Sequence, residues 1–188
     1  MSASDSHTVL VVDDESEVAD AYALRLRREY DVRTAYGGEE ALETIDDDVD
    51  VVLLDRRMPV SGDETLERIR EEGYDCRVIM VTAIVDPDFD IVDMPFDDYL
   101  CKPVDKEDLF GAVEQQLEAA DYDDAVDEFF RISSKIGVLE AEKTPEQLAE
   151  SEEYDRLTSR AEALREELHG QQEGFDDMMT AFNAIDRG

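Results

Sequence analysis

The strongest constraint on this chain is a set of short apolar runs, each followed at once by a polar or charged side chain. Residues 9–12 precede Asp13 and Asp14, 51–54 precede Asp55, 78–81 precede Thr82, and 99–101 precede Lys102. Continuous apolar runs rich in β-branched residues are typical of strands buried on both faces of a parallel sheet. Because ligands bind at the carboxyl ends of such strands, we expect these polar side chains to converge on one site.

Residues 8–120 alternate strand-like runs with amphipathic helical ones, a pattern typical of a parallel sheet covered by helices. The predicted strands lie near 8–12, 31–35, 50–54, 77–82 and 98–101. The predicted helices lie near 16–29, 38–46, 62–72, 88–93 and 106–119. The fourth helix is short because Asp86-Pro87 and Met94-Pro95 bracket it. Ser61 and Asp105 are predicted to cap the third and fifth helices.

From Asp121 onwards the strand pattern stops and the chain reads as helix. A first helix is predicted near 123–142. Thr144, Pro145 and Gln147 form a capping box with proline at the first helical position, so a second helix should begin there and end at Gly170. Its apolar seam consists of Tyr154, Leu157, Ala161, Leu164 and Leu168, and a last segment carries Phe175, Met178, Met179, Phe182 and Ile185 on one face. These faces could pack on one another as a hairpin or bundle, or bury a second subunit as a short coiled coil. We favour self-association.

The composition is strongly acidic, with 52 Asp and Glu against 18 Lys and Arg and a formal net charge of -34 over 188 residues. Two interpretations fit, a halophilic cytosol or an acidic interaction protein, and we favour the first. In molar salt the screening length falls to about 3 Å, so self-repulsion costs little. Such acidity disfavours nonspecific binding to nucleic acid or to anionic membranes.

No run approaches the roughly 20 apolar residues of a membrane span, and residues 1–7 lack the basic and apolar regions of a signal peptide. We therefore expect a cytoplasmic protein with a disordered N-terminus over 1–7 and no membrane partner. Cys76 and Cys101 have no metal or redox spacing and are expected to be small hydrophobic residues without a disulfide. His7 and His169 have no partner pattern and are expected to be neither ligands nor catalysts.

The polar residues at the strand ends have a consistent chemistry. Three carboxylates brought together repel one another unless a cation lies among them, and oxygen ligands suit Mg²⁺. An aspartate can attack phosphorus to give an aspartyl phosphate. A lysine and a hydroxyl can then neutralise and hydrogen-bond the transferring phosphoryl group. Asp55, Lys102 and Thr82 are of the right chemical types for these roles.

These positions, in this order, resemble the receiver domain of two-component response regulators. The motifs are VVDDE (11–15), LLDRRMP (53–59), VTA (81–83) and YLCKP (99–103). The resemblance implies a flavodoxin-like fold, a doubly wound five-stranded parallel sheet, over residues 8–120. It also implies a protein that is not an enzyme with turnover, because a receiver catalyses only its own phosphorylation and dephosphorylation.

The resemblance implies a role for each matching residue. Asp55 would accept the phosphoryl group from a histidine kinase, Thr82 and Lys102 would contact it, and Tyr99 would reorient as the switch. Mg²⁺ would be held by Asp13, Asp14, Asp55 and the backbone carbonyl of Arg57. The Lys102-Pro103 peptide bond would be cis. Two residues depart from the usual pattern: Arg56 replaces a common aliphatic residue, and Arg57 lies where its side chain could alter the aspartyl-phosphate lifetime.

Residues 132–168 resemble the HalX domain that follows receivers in haloarchaea, which implies an all-helical domain over 121–188 with a role in transcriptional or sensory regulation. The partner of this tail could be a second copy or an unknown downstream protein. Arg156, Arg160 and Arg165 are expected to pair with glutamates at i, i+4 spacing. Two alternatives stay open: a transcription factor whose HalX domain binds DNA directly, and a Mg²⁺-dependent phosphatase, although Arg57 departs from the DxDx[TV] motif of that class.

Overall fold

The computed structural model of the chain describes residues 6–83, 89–171 and 174–187. The chain forms two compact units, which divide after Ala83. Most of the predicted disordered N-terminus lies outside the described residues. Of that segment, His7 accepts a hydrogen bond at its backbone carbonyl from the Asp31 amide at 3.0 Å.

The described part of the first unit contains four strands and three helices in alternation. The strands are β1 (Thr8–Val12), β2 (Asp31–Ala35), β3 (Val49–Leu54) and β4 (Arg77–Thr82), and the helices are α1 (Ser16–Leu26), α2 (Gly38–Thr44) and α3 (Gly62–Glu71). The strands match the predicted positions within one residue. Helices α1 and α2 end earlier than predicted, and α2 ends because Ile45 adopts an extended backbone that takes its side chain into the core.

The strands among the described residues form one five-stranded sheet in the order β2-β1-β3-β4-β5, where β5 is Asp98–Cys101. Strand β1 lies between β2 and β3 and pairs with both in parallel, and β3 pairs with β4 in parallel. This order is that of the flavodoxin-like doubly wound sheet. The predicted fold class is therefore confirmed.

The sheet explains the continuous apolar runs. All five residues of β1 are buried, as are five of the six in β3 and in β4. Both faces of these strands are covered, so apolar residues follow one another in continuous runs (9–12, 51–54 and 78–81) rather than at every second position. Helix α3 presents Leu66 and Ile69 to this core, and both are fully buried. Burial of a side chain of this size contributes about 2 kcal/mol.

The second unit begins its described part with a short 3₁₀ helix (Phe89–Asp93), followed by β5. The remaining helices are α4 (Lys106–Ala119), α5 (Asp124–Glu142), α6 (Pro145–Ala149), α7 (Glu152–Gln171) and α8 (Phe175–Asn183). The predicted short fourth helix is thus a 3₁₀ helix, and residue 88 and Asp86-Pro87 lie outside the described residues. Asp105 caps α4 by accepting the Asp108 amide at 2.9 Å, and Ser61 caps α3 in the first unit, as predicted.

The helix predicted to run from Pro145 to Gly170 is two helices. The Thr144 capping box is present, but α6 ends after five residues. A second start signal follows, because the Ser151 hydroxyl accepts the Tyr154 amide at 3.1 Å and so caps α7. The prediction of one helix was wrong because the Ser151 cap starts a new helix within the predicted span. Helix α7 then ends at Gln171, one residue beyond the predicted stop.

The helices of the tail pack on one another. Leu157, Leu164 and Leu168 of the α7 seam are all buried, and α7 lies along α5. The Phe129 and Phe175 rings lie 5.3 Å apart at an edge-on angle, so α8 also packs on α5. The hairpin arrangement is therefore present within one chain. Self-association of the tail remains a prediction.

Two of the three arginines of α7, Arg156 and Arg160, have partners outside their own helix, and the prediction for Arg165 remains untested. Arg160 donates from Nε and Nη2 to both carboxylate oxygens of Glu128 on α5, each at 2.8 Å. Arg156 donates to Asp93 in the 3₁₀ helix at 3.0 Å. The i, i+4 prediction was wrong for these two residues because packing of α7 on α5 and on the 3₁₀ helix brings other acids closer. Within the described residues, no helix is both long and apolar enough to cross a membrane.

Candidate functional site

Three carboxylates converge at the carboxyl ends of two neighbouring strands in the first unit. Val12 and Leu54 are paired in register at the ends of β1 and β3, so Asp13 and Asp55 each follow a paired residue directly. Asp13, Asp14 and Asp55 each offer a carboxylate oxygen, and these oxygens lie within 4.8 Å of one another. Asp13 and Asp55 are buried, whereas Asp14 is exposed. The cluster therefore has a buried base and one side open to solvent.

Backbone amides hold the buried carboxylates in place. Asp13 Oδ1 accepts the Glu15 amide at 2.9 Å, and Asp55 Oδ1 accepts the Arg57 amide at 3.3 Å. The Asp55 amide donates to the Val12 carbonyl at 2.9 Å, which extends the β1–β3 ladder up to the cluster. Because each carboxylate is tied to a strand end by its own backbone, the separation of the two is determined by the sheet register.

The donor set fits a hard divalent cation. At an effective dielectric constant of about 20, two unit negative charges some 5 Å apart repel by roughly 3 kcal/mol, and three carboxylates contain three such pairs. Oxygen ligands are those that Mg²⁺ prefers, and it is commonly bound by about one or two carboxylates beside water and phosphate oxygens. The residues present at this cluster therefore fit Mg²⁺.

Thr82 is the last residue of β4 and is fully buried. The register pairs Leu54 with Met80, so Asp55 and Thr82 lie one and two residues beyond this pair at the same edge of the sheet. A hydroxyl at this position is of the right type to donate to an oxygen bound at Asp55.

Arg56 forms an ion pair that the sequence did not reveal. Its Nε and Nη2 donate to both carboxylate oxygens of Asp63 in the first turn of α3, at 2.8 to 3.0 Å. The Arg56 side chain is only 11% exposed. This bidentate pair ties the segment that follows Asp55 to the start of α3. The Arg57 side chain, in contrast, is exposed to solvent.

Gly62 is a second residue that the sequence did not single out. A Cβ atom added there would lie 2.2 Å from the Asp55 carbonyl oxygen and 2.7 Å from the Arg56 Cα. The Gly62 amide also donates to the Arg56 carbonyl at 2.9 Å. Only glycine allows the start of α3 to approach the backbone of Asp55 this closely. The one available sequence signal was its position directly after the helix cap Ser61.

Lys102 and Tyr99 belong to the second unit. Lys102 follows the last residue of β5, is half-buried, and precedes Pro103 through a cis peptide bond, as predicted. Tyr99 lies within β5 and is fully buried, with its ring centroid 5.7 Å from that of Phe96. The positions of both residues in β5 and the loop after it agree with the sequence pattern, and their roles remain predictions.

The residues for which we expected no role are two histidines and two cysteines. His7 Nδ1 lies 3.4 Å from an Asp50 carboxylate oxygen, and His169 Nδ1 lies 3.5 Å from one of Asp176. Cys76 and Cys101 are both free thiols. Partial burial raises the pKa of the Cys101 thiol, which disfavours its reactive thiolate form.

Comparison with known proteins agrees with this geometry. A family model for the response regulator receiver domain matches residues 9–114, and a model for the HalX domain matches residues 118–186. Response regulator TrrA from Thermotoga maritima, solved in complex with Mg²⁺ and BeF, is 32% identical with a TM-score of 0.53. That match covers 58% of this chain and 98% of TrrA.

Two relatives are similar in sequence. A protein of Haloferax volcanii named as a candidate transcriptional regulator is 52% identical over 161 residues, which cover 85% of this chain and 27% of that protein. Transcriptional regulatory protein CutR of Streptomyces coelicolor is 44% identical over 110 residues, which cover 56% of this chain and 51% of CutR. The chain thus aligns with about a quarter and about half of the length of these relatives. With strand order, acidic cluster and family match in agreement, the chain belongs to the response regulator receiver family, and its receiver region is followed by a HalX domain.

Proposed function

We propose that this response regulator accepts a phosphoryl group on Asp55 from a histidine kinase and changes the contacts of its helical tail in response. The observation that carries the proposal is the cluster of Asp13, Asp14 and Asp55, whose carboxylate oxygens lie within 4.8 Å of one another at the ends of two parallel strands. A buried aspartate beside two further carboxylates is suited to phosphoryl transfer only when a cation offsets the charge.

The residues of the cluster have different roles in the proposed phosphoryl transfer. An Asp55 carboxylate oxygen attacks phosphorus while the bond from phosphorus to the kinase histidine nitrogen breaks, and the nitrogen keeps the bonding electrons. Asp13, Asp14, Asp55 and the backbone carbonyl of Arg57 would hold Mg²⁺, which supplies positive charge near the transferring oxygens. The amide of Arg57, by donating to Asp55 Oδ1, orients the attacking carboxylate.

We propose that Thr82 and Lys102 contact the phosphoryl oxygens of the product, and that Tyr99 is the switch residue. Both Thr82 and Tyr99 are fully buried, so a movement of either must be accommodated by neighbouring packing. Phosphorylation would then shift an existing equilibrium between two arrangements. The protein would catalyse only its own phosphorylation and dephosphorylation and would turn over no external substrate.

We assign residues 8–120 to the receiver domain and 121–188 to the HalX-like output domain, and propose that the protein acts in the cytoplasm. The output would be a contact with an unknown downstream protein or with a second copy of the chain. The cognate kinase would be a histidine kinase that responds to a stimulus of its own.

Direct DNA binding by the tail is the second candidate, and the names of the two similar relatives favour it. The pairing of the tail's basic residues argues against direct DNA binding. Arg156 and Arg160 are engaged by acids of other segments, and Lys135 is buried. Few cations of the tail are therefore available for phosphate contacts, on which DNA affinity depends. Fluorescence anisotropy with promoter DNA in increasing KCl, with and without phosphorylation, distinguishes the two outputs.

The proposed function is tested by incubation with Mg²⁺ and acetyl phosphate in molar KCl, followed by intact mass spectrometry. We expect the wild type to gain the mass of one phosphoryl group and Asp55→Asn to gain none. Asp47→Asn is a matched control, because it removes the same charge from an exposed position and should be modified like the wild type. Modification of Asp55→Asn at the wild-type level would refute the assignment, and loss of modification in the presence of EDTA is expected.

A further inference from the structure

The outer edge of strand β5 is covered by a short segment of the same chain, residues 184–187. In the sheet order β5 is a terminal strand, and such edges leave backbone groups that another chain can pair with. Here the Cys101 amide donates to the Arg187 carbonyl at 3.0 Å. The Asp186 amide donates to Asp108 Oδ1 on α4 at 3.0 Å, so the segment is held from two sides.

The Arg187 side chain enters a buried ion pair beneath this contact. Its Nε donates to Asp98 Oδ1 at 2.8 Å and its Nη2 to Asp98 Oδ2 at 3.1 Å. The Asp98 side chain is fully buried and that of Arg187 is 10% exposed. Nη2 also donates to Gln115 Oε1 on α4 at 3.0 Å, and the guanidinium lies 3.9 Å from the centroid of the Phe182 ring. Breaking an ion pair with this many hydrogen bonds is costly, because either charge left alone would be buried without a partner.

The Asp98 carboxylate accepts hydrogen bonds from three parts of the second unit. Besides Arg187, its Oδ1 accepts the Ser134 hydroxyl of α5 at 2.6 Å and the amide of Tyr99 at 2.8 Å. A backbone movement at Tyr99 therefore alters the carboxylate that holds both α5 and the 184–187 segment. The link between β5 and the tail is thus one carboxylate next to the predicted switch residue.

We propose that residues 184–187 are a latch that covers the edge of β5 and holds α8 in place, and that its release accompanies phosphorylation of Asp55. The link between release of the latch and phosphorylation of Asp55 rests on the proposed function, whereas the latch itself does not. Any partner that pairs with the β5 edge must displace this segment, so the latch withholds the edge until Asp98 and Arg187 separate.

Hydrogen exchange followed by mass spectrometry tests the latch in the full-length protein. In Arg187→Gln we expect exchange at the Cys101 amide and through α8 to become faster by on the order of 100-fold, because a buried charge pair has lost one partner. Arg156→Gln is the matched control. It removes the same charge from an ion pair in which both side chains are more than half exposed, and should leave exchange at Cys101 unchanged.

The outcomes separate the latch from the proposed function. Equal exchange at Cys101 in Arg187→Gln and Arg156→Gln would overturn the latch. If Arg187→Gln unfolds as a whole, Arg187→Lys is the second variant, because it keeps the charge but loses the planar guanidinium. The Cys101 amide of Arg187→Lys should still exchange faster than that of the wild type. Exchange at the wild-type rate would overturn the latch. In wild-type protein carrying a phosphoryl group by intact mass, unchanged exchange at Cys101 would overturn the linkage. Failure to gain that mass would count against the proposed function, and Arg187→Gln would still decide the latch.

Discussion

Substitution of Gly62 by alanine should disturb the proposed phosphoacceptor site without touching any charged group. The added Cβ would lie 2.2 Å from the Asp55 carbonyl oxygen, whereas real Cβ atoms essentially never come closer than 3.0 Å, so α3 and the Asp55 backbone must separate by about 0.8 Å (3.0 minus 2.2). The obstacle is backbone on both sides, because the next contact is the Arg56 Cα at 2.7 Å. No side-chain rotation can relieve it.

The expected cost has two parts. Overpacking of this kind destabilises a protein by about 1–3 kcal/mol. A displacement approaching 1 Å at a reacting group can also lower the rate by up to about 100-fold. We therefore expect Gly62→Ala to lose about 1–3 kcal/mol of unfolding free energy in urea, and to be phosphorylated by acetyl phosphate about 10 to 100 times more slowly.

Gly37→Ala is the matched control, because it makes the same change at a helix start where a Cβ would meet nothing within 4 Å. Its backbone is extended, so alanine fits, and the loss of stability should stay near or below about 1 kcal/mol. Urea denaturation and the rate of mass gain with acetyl phosphate would be measured for both variants. Equal stability and equal phosphorylation rates in the two would refute the reasoning that the α3 start positions Asp55.

Three further predictions concern other parts of the chain. Burial lowers the pKa of Lys135 from 10.5 to about 8, so between these values the unfolded chain holds a proton that the folded chain lacks. The unfolding free energy of the wild type relative to Lys135→Met should therefore rise with pH across this window, by up to about 1.4 kcal/mol per unit in urea titrations; a constant difference would contradict this. Arg57→Ala should change the dephosphorylation rate of Asp55 by several-fold, because the Arg57 side chain is exposed beside the site, and equal lifetimes by intact mass would exclude that role. Leu164→Ala should destabilise the tail by about 2–5 kcal/mol in thermal unfolding, since its side chain is 1% exposed, and a loss below 1 kcal/mol would argue that the α7 seam is not a packed core.

Much of the architecture could be predicted from local sequence patterns. The five strand positions were predicted within one residue because strands buried on both faces are continuous apolar runs. Helix starts at Ser61, Asp105 and Thr144 were predicted because the side chain of an N-cap residue accepts a hydrogen bond from the backbone amide three positions later. The same locality explains the failure at Ser151, where a second cap of this type was present but was read as helix interior.

The acidic cluster was expected from sequence for a topological reason. Asp13 and Asp55 each directly follow the last residue of a strand, and the carboxyl ends of parallel neighbouring strands lie at one edge of the sheet. Their proximity could therefore be expected without knowledge of side-chain packing. The structure brings their carboxylate oxygens and that of Asp14 within 4.8 Å of one another. The close approach of Gly62 to Asp55 could not be obtained in this way, because it depends on the angle at which α3 leaves the loop.

By itself, the sequence determined the order of strands and helices, most helix caps and the residues that end the strands, because these depend on contacts within a few positions or on periodicity. Only the tertiary structure decided the ionic partners of Arg160 and Arg187. Arg160 bonds Glu128 across 32 positions and Arg187 bonds Asp98 across 89, whereas local spacing predicted partners four residues away for Arg160 and none for Arg187. The physical reason is that an ionic partner is selected by distance in space, and in so acidic a chain many carboxylates compete until packing brings one of them within reach.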